Sequence, residues 1–350
     1  MKVRILYHDN IIHSRRIKTM TSREIIKRAI DFQNPERIGY DFLPPHPSDM
    51  VWGSVSTGRA TKWGKDPELL KLVPGFNGEV YMDEYGNIWG RLESMTKGEV
   101  IRGALEDGWE GLDSYKLPDY SPIELYQPAK ERFEAEPQKY RLGGLPGFPF
   151  AIMRYIRRME NFLMDVLLYK EEVLRLNDMV VDMLLKVIDN YAVIGADGVT
   201  FAEDWGTQDR LLISPKTWRE LFKPSFKVLV DRAHSHGMHV LMHSCGYIYD
   251  IIPDLIEVGI DALQLDQPEL MGVERLGENF GGKIAFWSPV DIQKVMQTGN
   301  EQLIKEEARK MIYYFGRYGG GFIAKDYPQW EAIGVKEEWA QWARDAFMNA

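Results

Sequence analysis

Cysteine is almost missing from this chain: its 350 residues include one, Cys245. An internal disulfide framework is therefore excluded, and the composition suits a reducing cytoplasm. Long apolar runs are missing too. None approaches the roughly 20 residues that span a bilayer, and no secretory signal pattern opens the chain. Positive charge is in deficit, with 43 Lys and Arg against 52 Asp and Glu and a net charge of -9. That balance argues against a nucleic-acid backbone as partner. No Walker loop, dinucleotide glycine fingerprint or His-Glu-x-x-His stretch occurs, and no internal repeat or low-complexity tract. What is plentiful is apolar material, 45% of the residues, enough for one large core. The expectation is a soluble cytoplasmic protein with neither a membrane nor a nucleic acid as partner.

Five stretches share one shape: a short apolar run, a polar residue, then a loop opening a helix. They are Val199–Ala202 ending at Glu203 and Asp204, His239–Met242 ending at His243, and Ala262–Leu265 ending at Asp266. Ile284–Phe286 ending at Trp287 and Gly321–Ala324 ending at Lys325 and Asp326 complete the set. Strands alternating with helices imply a parallel sheet, and closed parallel sheets carry their chemistry on the loops after the strands. The pattern predicts an α/β fold, a TIM-like (β/α)8 barrel, with Glu203, Asp204, His243, Cys245, Asp266 and Asp326 on one rim.

The first 20 residues read as an N-terminal tail, and residues 21–350 as one barrel domain. Ser22 is a good helix N-cap, Arg37 to Phe42 reads as the first strand with Asp41 near its end, and residues 44–120 read as an elaborated cap inserted in the barrel. In the cap, Gly78–Met82, Asn87–Leu92 and Glu99–Leu105 look hairpin-like, and Trp52, Trp63, Tyr81, Tyr85, Trp89 and Trp109 are candidate pocket walls, although packing within the cap suits most of them. Tyr155–Tyr169 and Glu171–Ile194 read as helices. Ser214-Pro215 and Ser288-Pro289 look like helix starts, and Gly259 looks like a helix stop. Lys336 to Met348 reads as a closing helix on the outside of the barrel.

His243-Ser244-Cys245-Gly246 is the sharpest local motif. Alternate residues of a strand point the same way, so His243 and Cys245 can face one ion. Imidazole and thiolate are donors that zinc prefers, and a catalytic zinc takes three protein ligands and keeps one position open. A neutral histidine beside a buried cysteine fits the same residues equally well. Glu203, Asp204, Asp266 and Asp326 are candidate ligands, acids or loop-ordering groups. Asp231, His234 and Gly237 approximate a corrinoid-binding Asp-x-His-x-x-Gly signature, but the histidine comes one position late and on the wrong side of a strand.

Residues 21–330 resemble the uroporphyrinogen decarboxylase superfamily. The resemblance is carried by Thr21-Ser22-Arg23-Glu24 with Pro35-Glu36-Arg37-Ile38, the cap motif Asp83–Trp89, Phe201–Gln208, and His243–Gly246. It implies a single TIM-like barrel. The decarboxylases of that superfamily grip a polycarboxylate with an Arg-Gln-x-Gly-Arg stretch, whereas this chain reads Glu36–Phe42 there and lacks the cluster. The His-x-Cys motif and the Trp-containing cap are more similar to zinc-dependent methyltransferases that work with corrinoid proteins. Some of those take a third ligand, a cysteine, from the loop after the last strand. Here Gly320–Asp326 holds none, which leaves Glu203 or Asp326 to complete a set with His243 and Cys245.

The resemblance thus implies an O-demethylase-type methyltransferase, moving a methyl group from a methoxylated, aromatic substrate to the Co(I) corrinoid of a partner protein. Glu203, Asp204 and Asp266 are its candidate catalytic groups, and Asp41, Trp205, Trp287 and Tyr81 its candidate substrate contacts. Two alternatives stand beside it: a decarboxylase of a smaller acid, and a non-catalytic barrel that binds a small aromatic ligand or a corrinoid protein.

Overall fold

The computed structural model describes residues 19–94 and 96–349. The expected tail, residues 1–20, falls outside them but for Thr19 and Met20. Eight parallel strands make the main sheet: β1 (Gly39–Asp41), β2 (Met50–Ser54), β6 (Tyr140–Gly144), β7 (Gly198–Ala202), β8 (His239–His243), β9 (Ala262–Gln264), β10 (Ala285–Ser288) and β11 (Phe322–Lys325). They are ordered β1-β11-β10-β9-β8-β7-β6-β2. The two end strands are consecutive in sequence and are stitched together at Asp49, whose amide bonds the Tyr40 carbonyl at 2.7 Å and whose carboxylate takes the Tyr40 amide at 2.8 Å. The result is a nearly closed (β/α)8 barrel, as the sequence pattern predicts. Among the described residues no helix is long and apolar enough to cross a membrane.

Between β2 and β6 lies a separate antiparallel sheet of β3 (Glu79–Met82), β4 (Ile88–Arg91) and β5 (Glu99–Arg102). The hairpin-like runs are therefore strands, but the span 44–120 is not an unbroken cap: Met50–Ser54 inside it is a barrel strand paired with Tyr140–Gly144. The region expected to be one helix, 155–169, is two, Pro149–Arg157 and Met159–Leu168, broken where Arg158 takes a φ of 64°. Ser214 does cap a helix that begins at Pro215, and Gly259 ends another in the left-handed region. Ser288 does not cap one. Its hydroxyl bonds the Leu265 carbonyl, and the next long helix starts at Glu301 behind an Asn300 cap.

Alternation along the strands divides the core in two. Met50, Tyr140, Leu142, Leu241, Ala262, Ala285, Trp287 and Ile323 meet inside the barrel, while Val199, Phe201, Val240, Met242, Leu263 and Phe322 face the surrounding helices. The helix Ser22–Ile30 closes the inside from below, inserting Ile26, Ala29 and Ile30. Gly39 permits that seat, since a Cβ there would lie 2.5 Å from Ile26 Cδ1. Arg23 and Lys27 then pair with Asp197, just before β7, each at 2.7 Å.

Candidate metal centre

Inward parity continues past the strand ends and selects the residues of the mouth. His243 closes β8 on the inner face, Ser244 turns out and Cys245 turns in again, so that Cys245 Sγ lies 3.3 Å from His243 Nε2. Ala202, paired with His243 in the ladder, closes β7 on the inner face. Asp204, two residues on, is therefore inward too, with Oδ1 3.5 Å from His243 Nε2 and 2.9 Å from the Cys245 amide, which donates to it. Two glycines make this approach possible: a Cβ on Gly246 would lie 2.4 Å from the Gly206 carbonyl, so the loops after β7 and β8 touch backbone to backbone.

One ligand atom each from Asp204, His243 and Cys245 lies within 4.8 Å of the others. Tetrahedral coordination with bonds of about 2.0–2.3 Å has edges of roughly 3.3–3.8 Å, and the two separations around His243 Nε2 already match such edges. The donor set of nitrogen, sulfur and oxygen suits zinc, with three protein ligands and a fourth position for substrate. His243 Nδ1 is buried without a hydrogen-bond partner among the described residues, so the ring is oriented through Nε2, by Cys245 and Asp204. Burial pushes the Cys245 thiol up, and Asp204 and Asp266 push it further. A cation bound between these groups would oppose that shift and favour the thiolate.

Two expected ligands are corrected by the same parity. Glu203 points outward with Phe201, beneath the helix Pro149–Arg157, where its Oε1 accepts the Ala151 amide at 3.1 Å and its Oε2 has no partner among the described residues. Burial pushes its carboxyl up to about 8, so the group carries a proton at neutral pH. Asp326 points outward behind Lys325, and holds the fully buried Arg344 of the closing helix at 3.1 Å and the Leu43 amide at 2.9 Å. Neither reaches the His243–Cys245 pair.

The remaining candidates separate in the same way. Trp205 is outward and buried, stacked on Phe150 at 4.0 Å, and offers no free face to a substrate. Asp266 is inward, accepting from the Gln264 side-chain Nε2 at 2.7 Å and paired with Lys325 at 3.2 Å. Burial opposes its charge, yet Lys325, His243 and Gln264 together hold the carboxyl below its ordinary value, which makes it an anion and not a proton donor. Asp41 is inward beside Ser48, with its carboxyl raised by burial. Trp287 is inward against Trp52, ring centroids 5.5 Å apart. Tyr81 is not with them; it stands on β3 in the small sheet. Sequence reasoning missed Lys325, the cation of the mouth, and Arg154, which lies 3.7 Å from Asp204 and over the Tyr155 ring. Strand parity marks Lys325 as inward; nothing local marks Arg154.

The uroporphyrinogen decarboxylase (URO-D) family model matches residues 109–325, more than half of the chain, and the protein belongs to that family. Among solved structures, a methyltransferase from Methanosarcina mazei is similar over 94% of this chain and 99% of its own, with a TM-score of 0.63 and 14% identity. A mannonate dehydratase from Streptococcus suis serotype 2 is similar over 66% of this chain and 82% of its own, with a TM-score of 0.42 and 10% identity. No curated protein matches the sequence.

Proposed function

We propose that the protein is a cytoplasmic methyltransferase that moves a methyl group from a methoxylated, aromatic substrate to the Co(I) corrinoid of a separate protein. The observation that carries this reading is the convergence of Asp204, His243 and Cys245 at the open end of the barrel. The fold shared with a methyltransferase favours the same chemistry, and the single cysteine suits a reducing compartment. An ether resists displacement because its oxygen leaves as a poor anion, and each pKa unit on the leaving group is worth up to ~1.4 kcal/mol in the transition state. Zinc held by Asp204, His243 and Cys245 would act as a Lewis acid on that oxygen.

The chain's own groups do the rest. Lys325 adds positive charge inside the mouth, kept in place by Asp266, and favours a substrate oxygen that gains negative charge. Trp52, exposed and backed by the buried Trp287, offers an aromatic surface on the inner face. Glu203 supports the helix that carries Arg154 and stays out of the reaction, because its side chain lies on the far side of the sheet. Residues 21–350 work as one unit, with the segment between β2 and β6 beside the mouth. The test is anaerobic: the protein is mixed with a reduced corrinoid protein and a panel of methoxylated phenols. Methyl-cobalt absorbance is expected with the intact protein and not with His243→Ala/Cys245→Ala; equal turnover by metal-free protein would contradict the proposal.

A further inference from the structure

A cavity of about 380 Å³ lies between the small antiparallel sheet and the start of the helix Pro149–Arg157. Its walls are built from the cap motif. Tyr81 and Trp89 are direct partners across β3 and β4, so their rings share one face, with centroids 5.9 Å apart and planes 19° from parallel. Tyr155 meets Trp89 at 4.8 Å and 58°, turning the wall through a corner. Tyr85 and Tyr120 complete the aromatic part of the lining. The hydroxyl of Tyr85 donates to the Pro146 carbonyl and that of Tyr120 to Glu84, which leaves ring surface as what these two offer a ligand.

The polar part of the lining is acidic. Asp83 accepts from Trp89 Nε1 at 2.8 Å, from the Asn87 side chain and from the amides of Tyr85 and Asn87. Glu84 accepts from the Ser56 hydroxyl and from the amides of Thr57 and Gly58. All of these donors are neutral, and neither carboxylate forms a salt bridge among the described residues. Burial raises the Asp83 carboxyl; it opposes the charge of Glu84 as well, but the bonds from Ser56, Tyr120 and Thr57 outweigh it and keep that group below its ordinary value. The lining contains no Lys or Arg. Arg154 stands behind Tyr155, 3.0 Å from its hydroxyl and turned toward Asp204.

Ring faces and two carboxylates without a counter-cation select a positive charge. The carboxylates are already saturated with hydrogen bonds, so an ion that demands direct oxygen ligands is poorly served. A charge spread over methyl groups needs no such ligands and is attracted by the ring quadrupoles, more strongly once desolvated. We propose that this cavity binds a quaternary ammonium group. The inference does not rest on the methyl-transfer reading, since neither metal nor corrinoid takes part.

The test titrates the full-length protein with choline and with its uncharged carbon isostere, 3,3-dimethylbutan-1-ol, by calorimetry and tryptophan fluorescence. Choline should saturate one site per chain, with a Kd at least tenfold below that of the alcohol. Tyr155→Leu and Trp89→Leu, checked for folding by circular dichroism, should each weaken choline about tenfold, and Glu84→Gln several-fold. His243→Ala/Cys245→Ala should bind choline as the native protein does. Equal binding of the alcohol overturns the proposal, as does tighter binding of 4-methoxyphenol at this site or the absence of saturable choline binding; none of these results bears on the metal centre.

Discussion

The two ends of the barrel are built to opposite specifications. At the lower end charged groups pair with one another: Asp197 takes Arg23, Lys27 and the Arg141 amide, and His239 lies between Tyr140 at 2.9 Å and Asp31 at 3.1 Å, with Arg141 Nε the one atom of this set left without a partner among the described residues. A helix then seals the end with apolar side chains. At the upper end the Nδ1 of His243 and the indole nitrogen of Trp287 are buried without partners among the described residues, and three donor atoms crowd together. Buried polar groups are ordinarily satisfied, so an end of the molecule that leaves them open marks where a ligand belongs. The lower end is structure. The upper end carries the candidate site, on its inner face.

Substitutions can sharpen that contrast, because groups committed to structure should lose stability and groups committed to the site should lose binding. The largest loss is expected at Arg344, which is fully buried and bonded to Asp326, Glu337 and Gln341. Arg344→Met strands the Asp326 carboxylate and should destabilise the fold by about 3–5 kcal/mol in urea melts, with metal content per folded chain unchanged. At the lower end, Ile26→Ala should cost about 3 kcal/mol, again without loss of metal.

Glu203→Gln should act through pH. The native carboxyl keeps its proton up to about 8, whereas the unfolded chain releases it near the ordinary 4.5. The unfolded state thus binds fewer protons between those values, and the native protein loses stability as pH rises through that window. The glutamine variant should lack this loss and gain, relative to the native protein, on the order of a few kcal/mol from pH 5 to pH 8. Parallel melts of the two proteins across that range check it; identical slopes would mean that Glu203 titrates normally. Smallest of all, His243→Ala/Cys245→Ala should change the stability of the metal-free protein by less than about 1 kcal/mol, because the imidazole it removes has one unsatisfied nitrogen.

Much of this was legible in the chain. The barrel followed from repeated strand-then-polar patterns, and His243 with Cys245 followed from their spacing at a strand end. What failed was the choice of carboxylate, and it failed by one residue twice. Glu203 is favoured by the sequence for continuing its strand and Asp326 for ending the last strand, which lies beside the first in a closed barrel, yet a period of two puts both on the outer face, with Phe201 and Ala324, while Asp204 and Lys325 face inward. Part of the signal was present: counting alternate residues from Leu241 and Ile323, both inside the barrel, places His243, Cys245 and Lys325 inward and Asp326 outward. β2 and β6 were harder. They carry Trp52, Gly53 and the glycine pair Gly143-Gly144 in place of a continuous apolar run, and Gly143 is needed where a Cβ would lie 2.5 Å from the Tyr191 ring. The cap motif was visible as a family resemblance, but only the β3–β4 register shows that Tyr81 and Trp89 face the same way.

The most direct test of the central claim is elemental analysis of four purified proteins: the native chain, Asp204→Asn, Glu203→Gln and Asp326→Asn. The inward geometry predicts close to one zinc per chain in the native protein, in Glu203→Gln and in Asp326→Asn, with most of it gone in Asp204→Asn. Retention of full metal by Asp204→Asn together with its loss from either outward variant would contradict the account.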